Sequence, residues 1–372
     1  MINAIKLRRS GFDPLYVQIE EEIERRIERR DLQPGAFLPP EHRMAGMLKV
    51  HRNTVRAAYE RLKMKGLVVA EQGRGWRVAP TPAQRIMEIG FLAAGLQHHV
   101  ALPAYRRTLD ALTLEAHQRD LDVVSFLICD NEEDIVRALQ RRRLSALVVA
   151  GHVISQKIWQ AVMALPCRRI ALDPYPDNPC THYVITDHRE GGRMAAERLL
   201  ESGHDRFVLV MPYSEKGWVF RGFDERREGF LNALHEAEVP SRHVLELYPD
   251  VSNPATIPPV ARQIVEFGEG VGVFCTLDRL ALRLIRCLQD LGKNLPDDLS
   301  LIGFDGDPEG QHQHPTLATF AHPVQAIARH VVDLTLSQPA NGLIGPGEIR
   351  IPPIFQPGET LRESRTAAAA GN

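Results

Sequence analysis

"VHRNTVRAAYERLKMKGLVVAEQGRGWRVA", residues 50–79, sets Val55, Ala58, Tyr59 and Leu62 at helical spacing and then breaks into two short apolar runs around Gly73-Arg74-Gly75. The spacing predicts a helix from about Arg52 to Gly66, where a glycine suits the C-cap, and the two runs predict a hairpin. With the apolar residues turned to a small core, Arg52, Asn53 and Arg56 are left near the N-terminal end of the opposite face. Arg pairs bidentately with guanine and Asn with adenine, so these residue types suit reading base edges. A merely solvated basic face is the alternative.

Upstream, "PLYVQIEEEIERRIERR" (14–30) puts Leu15, Ile19, Ile23 and Ile27 four apart, a single stripe that packs a helix by one face. "DLQPGAFLPPE" follows, with Pro34-Gly35 as a turn and Pro39-Pro40 before Glu41 as a helix entrance. A short second helix from about His42 to Leu48 is expected. Three helices and a hairpin, with few residues between the second and third helices, is the order of a winged helix-turn-helix.

Charge supports a division of the chain. Residues 1–80 hold 16 Lys and Arg against 10 Asp and Glu, and the remainder holds 29 against 37, so a basic head precedes an acidic body. A length of 372 residues calls for two or three compact units. "APTPAQR" (79–85) is the clearest linker, because Pro80 and Pro82 remove backbone donors and favour extended geometry. The expected organisation is a basic winged-helix head over 1–79, a linker over 80–85, an acidic body over 86–364, and a disordered tail over 365–372.

The five cysteines are scattered, with no C-x-x-C pair and no zinc-type spacing, and read as free intracellular thiols. The N-terminus lacks the apolar run of a signal peptide, and no stretch approaches the ~20 apolar residues of a membrane helix. A cytoplasmic protein without metal or cofactor is expected.

In the body, "IMEIGFLAA", "DVVSFLI", "SALVVAG" and "RRIALD" alternate with amphipathic stretches, and the cycle restarts after Asp187 with "RFVLVMP", "VGVFCT" and "LSLIGFD". Such alternation implies an α/β fold with parallel sheets, and two successive halves imply two lobes with a ligand cleft between them. Catalytic signatures are missing: there is no G-x-S-x-G or H-E-x-x-H, and "GRGWR" is no phosphate loop. His312 and His314 lack a third ligand at useful spacing and read as surface residues. Trp218 and Phe220 could stack on a sugar face or simply belong to the core.

Residues 14–78 resemble the DNA-binding domain of the GntR family through P-L-Y-x-Q-I, L-x-P-G-x-x-L-P-x-E, R-x-T-V-R and G-L-V…G-x-G. The resemblance implies that Arg52, Asn53, Thr54 and Arg56 carry the helix contacts. It puts His42 at a phosphate-contacting place and Gly73 with Arg74 at the wing tip. His51 replaces the usual Ser or Thr, which predicts a weaker N-cap, and His42 replaces a common Arg or Lys.

"DHREGGRMAAERLLESGH" (187–204), "ERREGFLNAL" (225–234), "LDRLALRLIRCLQDLGKNLPDDLSLIGFD" (277–305) and "HPTLATF" (314–320) resemble the effector domain of the LacI/GalR family, whose fold is of the periplasmic-binding-protein type. That resemblance assigns effector contacts to Arg226, Asp305, Asp187 and Asp278; for Asp187 and Asp278 the structural alternative is helix capping. Leu277 stands where the family usually has Asn, so one hydroxyl contact is missing. A GntR-type head on such a body is similar to the arabinose-repressor type of hybrid. It implies a homodimeric regulator, chiefly a repressor, that binds an inverted-repeat operator in double-stranded DNA and answers to a sugar or sugar-derived effector. The competing reading is a soluble carbohydrate-binding protein or carbohydrate-acting enzyme.

Overall fold

The computed structural model describes residues 7, 14–29, 31–71, 74–79, 87–93, 102–127, 131–151, 155–172, 180, 182–213, 220–337 and 347–363. The chain forms two compact units, Met1–Ile86 and Met87–Asn372. The linker read over 80–85 and the tail read over 365–372 lie outside the described residues.

In the first unit, α1 (Leu15–Glu28), α2 (Glu41–Leu48) and α3 (Arg52–Met64) precede β1 (Val68–Glu71) and β2 (Gly75–Val78). The two strands pair antiparallel from Val68↔Val78 to Glu71↔Gly75, and Phe37 bridges to Arg77 beside them. Ile19, Ile23 and Ile27 of α1 meet Met44 of α2, Val55, Tyr59 and Leu62 of α3, and Trp76 of β2 in one core. Tyr59 is enclosed yet satisfied: its hydroxyl donates to the Pro39 carbonyl at 2.9 Å, and its ring meets Trp76 edge-on.

Three residues, Lys49–His51, join α2 to α3. The turn is made by Lys49 in the left-handed region at φ 52°. Arg61, on the same helix as Arg52 and Arg56, takes no part in their face. It pairs with the buried Glu20 of α1, and Lys65 reaches Glu20 and Glu24 at 2.7 and 3.0 Å, so these cations fasten α3 to α1.

The second unit has two lobes. The first sheet runs β13-β7-β6-β5-β3-β4, all parallel: β3 (Met87–Ala93), β4 (Leu121–Leu127), β5 (Ala146–Ala150), β6 (Arg168–Ala171), β7 (His182–Thr186) and β13 (Gly347–Ile351). The helices α4 (Leu102–His117), α5 (Glu132–Arg141) and α6 (Gln156–Met163) connect its strands.

The second sheet runs β14-β12-β11-β10-β8-β9. Its strands are β8 (Arg206–Val210), β9 (Val244–Leu247), β10 (Val271–Cys275), β11 (Leu299–Asp305), β12 (Ala318–Ala321) and β14 (Ile354–Gln356), the last antiparallel to β12. Its helices are α7 (His188–Glu201), α8 (Arg221–Glu236), α9 (Ile257–Phe267) and α10 (Asp278–Asp290). Central strands such as "ALVVA" and "VGVFC" are buried along their whole length, as sheets covered on both faces require.

The chain passes between the lobes after β7, after β12 and between β13 and β14. The residues after β7 enter α7, whose Ala195, Ala196 and Leu199 join the second-lobe core. The residues after β12 enter α11 (Val324–Leu336), whose Ile327 and Val331 join the first-lobe core with Leu112 and Val184. These passages bring Thr186, His188 and His322 together.

Helices α7 and α8 cross at glycines. A Cβ on Gly192 would lie 1.9 Å from the Arg226 carbonyl oxygen, and one on Gly229 would lie 1.9 Å from that of Arg189. Backbone cannot yield as a side-chain tip can, so Gly229→Ala must separate the helices, at a cost of about 1–3 kcal/mol or more. Urea denaturation followed by circular dichroism is expected to show that loss; an unchanged midpoint contradicts the close crossing.

Candidate functional site

Two places gather the residues singled out in the sequence. The first is the N-terminal end of α3. His51 caps it without a hydroxyl, its Nδ1 accepting from the Asn53 backbone N–H at 3.2 Å. Arg52, Asn53 and Arg56 are exposed, whereas Val55, Ala58, Tyr59 and Leu62 are wholly buried. Thr54 is half-buried, with its N–H donating to the His51 carbonyl. His42 is exposed in the first turn of α2, and Arg74 is exposed before β2; Gly73 lies outside the described residues.

Glu41 organises this face. Its carboxylate accepts from Arg52 Nε at 2.9 Å, Arg56 Nε at 3.3 Å and Trp76 Nε1 at 3.4 Å. Burial pushes the Glu41 pKa up, but the hydrogen bonds from Arg56, Arg52 and Trp76 outweigh it and hold the carboxyl below its usual range. Arg56 Nη2 also lies 3.2 Å from Glu41 Oε2, so two long side chains are held over the start of α2 while both guanidiniums stay more than half exposed. The sequence reading took Glu41 only as a helix entrance. The available signal was an acidic residue among basic ones in a segment otherwise expected to meet polyanion.

The second place lies where the chain passes between the lobes. Arg226 is wholly buried on α8. Its Nε donates to His188 Nδ1 at 3.3 Å, an Nη1 hydrogen bonds the Thr276 carbonyl, and Nη2 lies 3.6 Å from Asp305 Oδ1. The guanidinium carbon sits 3.6 Å from the centre of the Phe304 ring. Asp305 also accepts from His322 Nε2 at 3.2 Å, while His322 Nδ1 faces the Thr186 hydroxyl at 2.8 Å; one tautomer, with the proton on Nε2, satisfies both. Asp305 has φ 126°, a conformation costing a non-glycine residue about 1–3 kcal/mol. Side-chain and backbone bonds from both lobes hold it there.

Of the residues assigned from sequence, Arg226 and Asp305 are therefore in contact. Phe220 is half-buried at the start of α8 and meets the His188 ring edge-on, so it belongs to the same group; Trp218 lies outside the described residues. Asp187 caps α7 through the Glu190 N–H at 3.1 Å and retains partial exposure.

Asp278 is corrected. It is fully enclosed, with Oδ2 accepting from the Asp307 N–H and Oδ1 from the Thr319 hydroxyl, both at 2.7 Å. Burial, then the charge of Asp305, raise its pKa. Both oxygens are spent on holding the loop after β11, and none faces a ligand.

Sequence reading missed His188, His322, Arg107 and the interlobe pair of Arg350 with Glu225, which meet at 2.9 and 3.2 Å. Only His188 had a local signal, standing beside Asp187 at a helix start.

Comparison with known proteins covers the segments that contain both places. Residues 15–78 match the bacterial regulatory proteins of the gntR family. Residues 88–257 match the periplasmic binding proteins and sugar binding domain of the LacI family, and 196–361 a periplasmic binding protein-like domain. The arabinose metabolism transcriptional repressor of Geobacillus stearothermophilus is 25% identical over 325 residues, 83% of this chain and 87% of that one.

The HTH-type transcriptional repressor PurR of Aliivibrio salmonicida is 26% identical over 221 residues, 58% of this chain; the chain spans 65% of that repressor's length. Among solved structures, a LacI family transcriptional regulator from Enterococcus faecium with bound ribose aligns at TM-score 0.60 and 22% identity, covering 74% of this chain and 98% of that one. The transcriptional regulator CelR–cellobiose complex aligns at TM-score 0.60 and 18% identity, covering 87% and 100%. The body has the LacI-type fold.

His188 gives the interlobe place a pH signature. Burial first, then the charges of Arg226, His322 and Arg350, hold its pKa well below the ordinary value, and its Nδ1 must stay unprotonated to accept from Arg226. The unfolded chain takes up this proton below about pH 6.5 and the folded chain refuses it, so stability is full above that pH and falls as pH drops. His188→Asn keeps an acceptor without titrating. It is expected to flatten the loss between pH 6.5 and 5 by up to about 1.4 kcal/mol per pH unit in urea titrations. Parallel profiles for the two proteins contradict the assignment.

Proposed function

We propose that this chain, a GntR-type head joined to a LacI-type body, is a transcription regulator, chiefly a repressor, whose grip on DNA is set by a small molecule bound between the lobes. The observation that carries the reading is the divided face of α3. Its apolar side is fully enclosed, and Arg52, Asn53 and Arg56 project from its first turns with Arg74 on the neighbouring hairpin. A helix packed in that way can enter a major groove by its N-terminal end while the hairpin tracks the adjoining backbone.

The switching half of the reading rests on the node at Asp305, where donors from both lobes converge. A ligand that replaces some of those contacts binds the open and closed arrangements with different free energies, as allosteric control requires. In a homodimer reading an inverted repeat, such a change alters the placement of the paired heads. Relatives named as repressors, and a LacI-type regulator solved with ribose, support a sugar or sugar-derived effector. The protein acts in the cytoplasm, with no catalytic step and no cofactor. Among the described residues no helix is long and apolar enough to cross a membrane.

Arg56→Ala separates base reading from general attraction. If Arg56 contacts a base edge, the variant loses about 1–3 kcal/mol on the specific operator and relaxes preference at one base pair. A phosphate contact instead weakens every sequence alike. Titrations with operator and scrambled duplexes at one salt concentration decide between them, and unchanged affinity for both overturns the assignment of α3.

A further inference from the structure

Asp305 is approached from the first lobe by a cation that no sequence reading singled out. Arg107, in the second turn of α4, donates from Nη2 to the Asp305 carbonyl oxygen at 2.6 Å. Its Nη1 is shut off from solvent and has no hydrogen-bond partner. No ion pair engages Arg107 among the described residues.

Two of the nearby carboxylates have cationic partners of their own. Asp305 lies 3.6 Å from Arg226 Nη2 and accepts a hydrogen bond from His322, and Glu225 pairs with Arg350. Asp187 Oδ1 takes the Glu190 N–H. Arg107 thus has no carboxylate partner among the described residues, and one of its donors is unused. Its unmade N–H bonds are costly in an enclosed setting and strong when completed by a negative acceptor. A neutral hydroxyl can occupy such a donor, but only an anion also offsets the charge.

We propose that the effector bears an anionic group, a carboxylate or a phosphate, and that Arg107 binds it. This rests on the reading that a small molecule binds between the lobes. The class is therefore sugar acids or sugar phosphates, in place of neutral sugars. Because Arg107 also holds the Asp305 backbone, the anion meets both lobes through one side chain.

The test uses the full chain and matched probes at constant ionic strength: D-glucose, D-gluconate and D-glucose 6-phosphate; L-arabinose and L-arabinonate; D-ribose and D-ribose 5-phosphate; and inorganic phosphate. Calorimetry is expected to find an anionic probe bound about tenfold or more tightly than its neutral counterpart, a charge-assisted bond being worth that ratio. Whether a carboxylate or a phosphate wins identifies the source of the charge.

Arg107→Gln, which keeps a donor for the Asp305 carbonyl, is expected to lose that advantage, so that anionic and neutral probes bind it within about twofold of each other. Arg107→Lys is expected to recover part of it. A neutral sugar bound best and equally by wild type and Arg107→Gln overturns the proposal, as does an anion whose affinity is the same in both, or no binding by any probe. Specific DNA binding by the wild type without ligand is measured alongside. If it persists while anion selectivity fails, only this proposal falls; if it is absent, the regulator reading falls as well.

Discussion

Arg226 carries a positive charge into the interior of the second lobe, and the neighbours of that charge determine how the lobe is assembled. A buried guanidinium is tolerated only with compensating charge and filled hydrogen bonds, and removing one member of such a pair costs about 3–5 kcal/mol. Here the demand is met from four directions: Asp305 at the end of β11, the Thr276 carbonyl beyond β10, His188 at the start of α7, and the Phe304 ring beneath. The glycine crossing of α7 and α8 brings Arg226 and His188 close enough for this to happen. Because His188 and His322 stand where the chain leaves one lobe for the other, the same node that stabilises the second lobe also reports on its relation to the first.

The head solves a related problem on its surface. Glu41 draws Arg52, Arg56 and Trp76 to one carboxylate, and Glu20 draws Arg61 and Lys65 to another. The first arrangement leaves half-exposed guanidiniums outward; the second spends its cations on packing α1 against α3. Basic residues on one helix therefore divide into an outward set and a fastening set, and net charge alone does not separate them.

The periodicity of Val55, Ala58, Tyr59 and Leu62 made the buried and exposed faces of α3 legible, because it is a local property of a helix. The apolar runs of β5, β10 and β11 were legible for the same reason, and family motifs brought Arg226 and Asp305 into one site. What sequence did not reveal were pairings between residues far apart: Arg52 with Glu41, Arg61 with Glu20, and Arg107 with Asp305. No period encodes these contacts; they depend on side-chain reach after the fold has formed. Residue type alone also does not settle what two further side chains do. His51 caps a helix despite having no hydroxyl, and Asp278, an acid at a motif position, turned inward to hold a loop.

The central claim is that an α3 face built around Glu41 reads a particular DNA sequence. The direct measurement is selection of bound fragments from random duplex DNA by the full chain, followed by dissociation constants for the enriched sequence and a scrambled control at physiological salt. The account predicts an inverted repeat bound about 10³-fold or more tightly than the control. Enrichment of no sequence, with equal affinity for both duplexes, would contradict it.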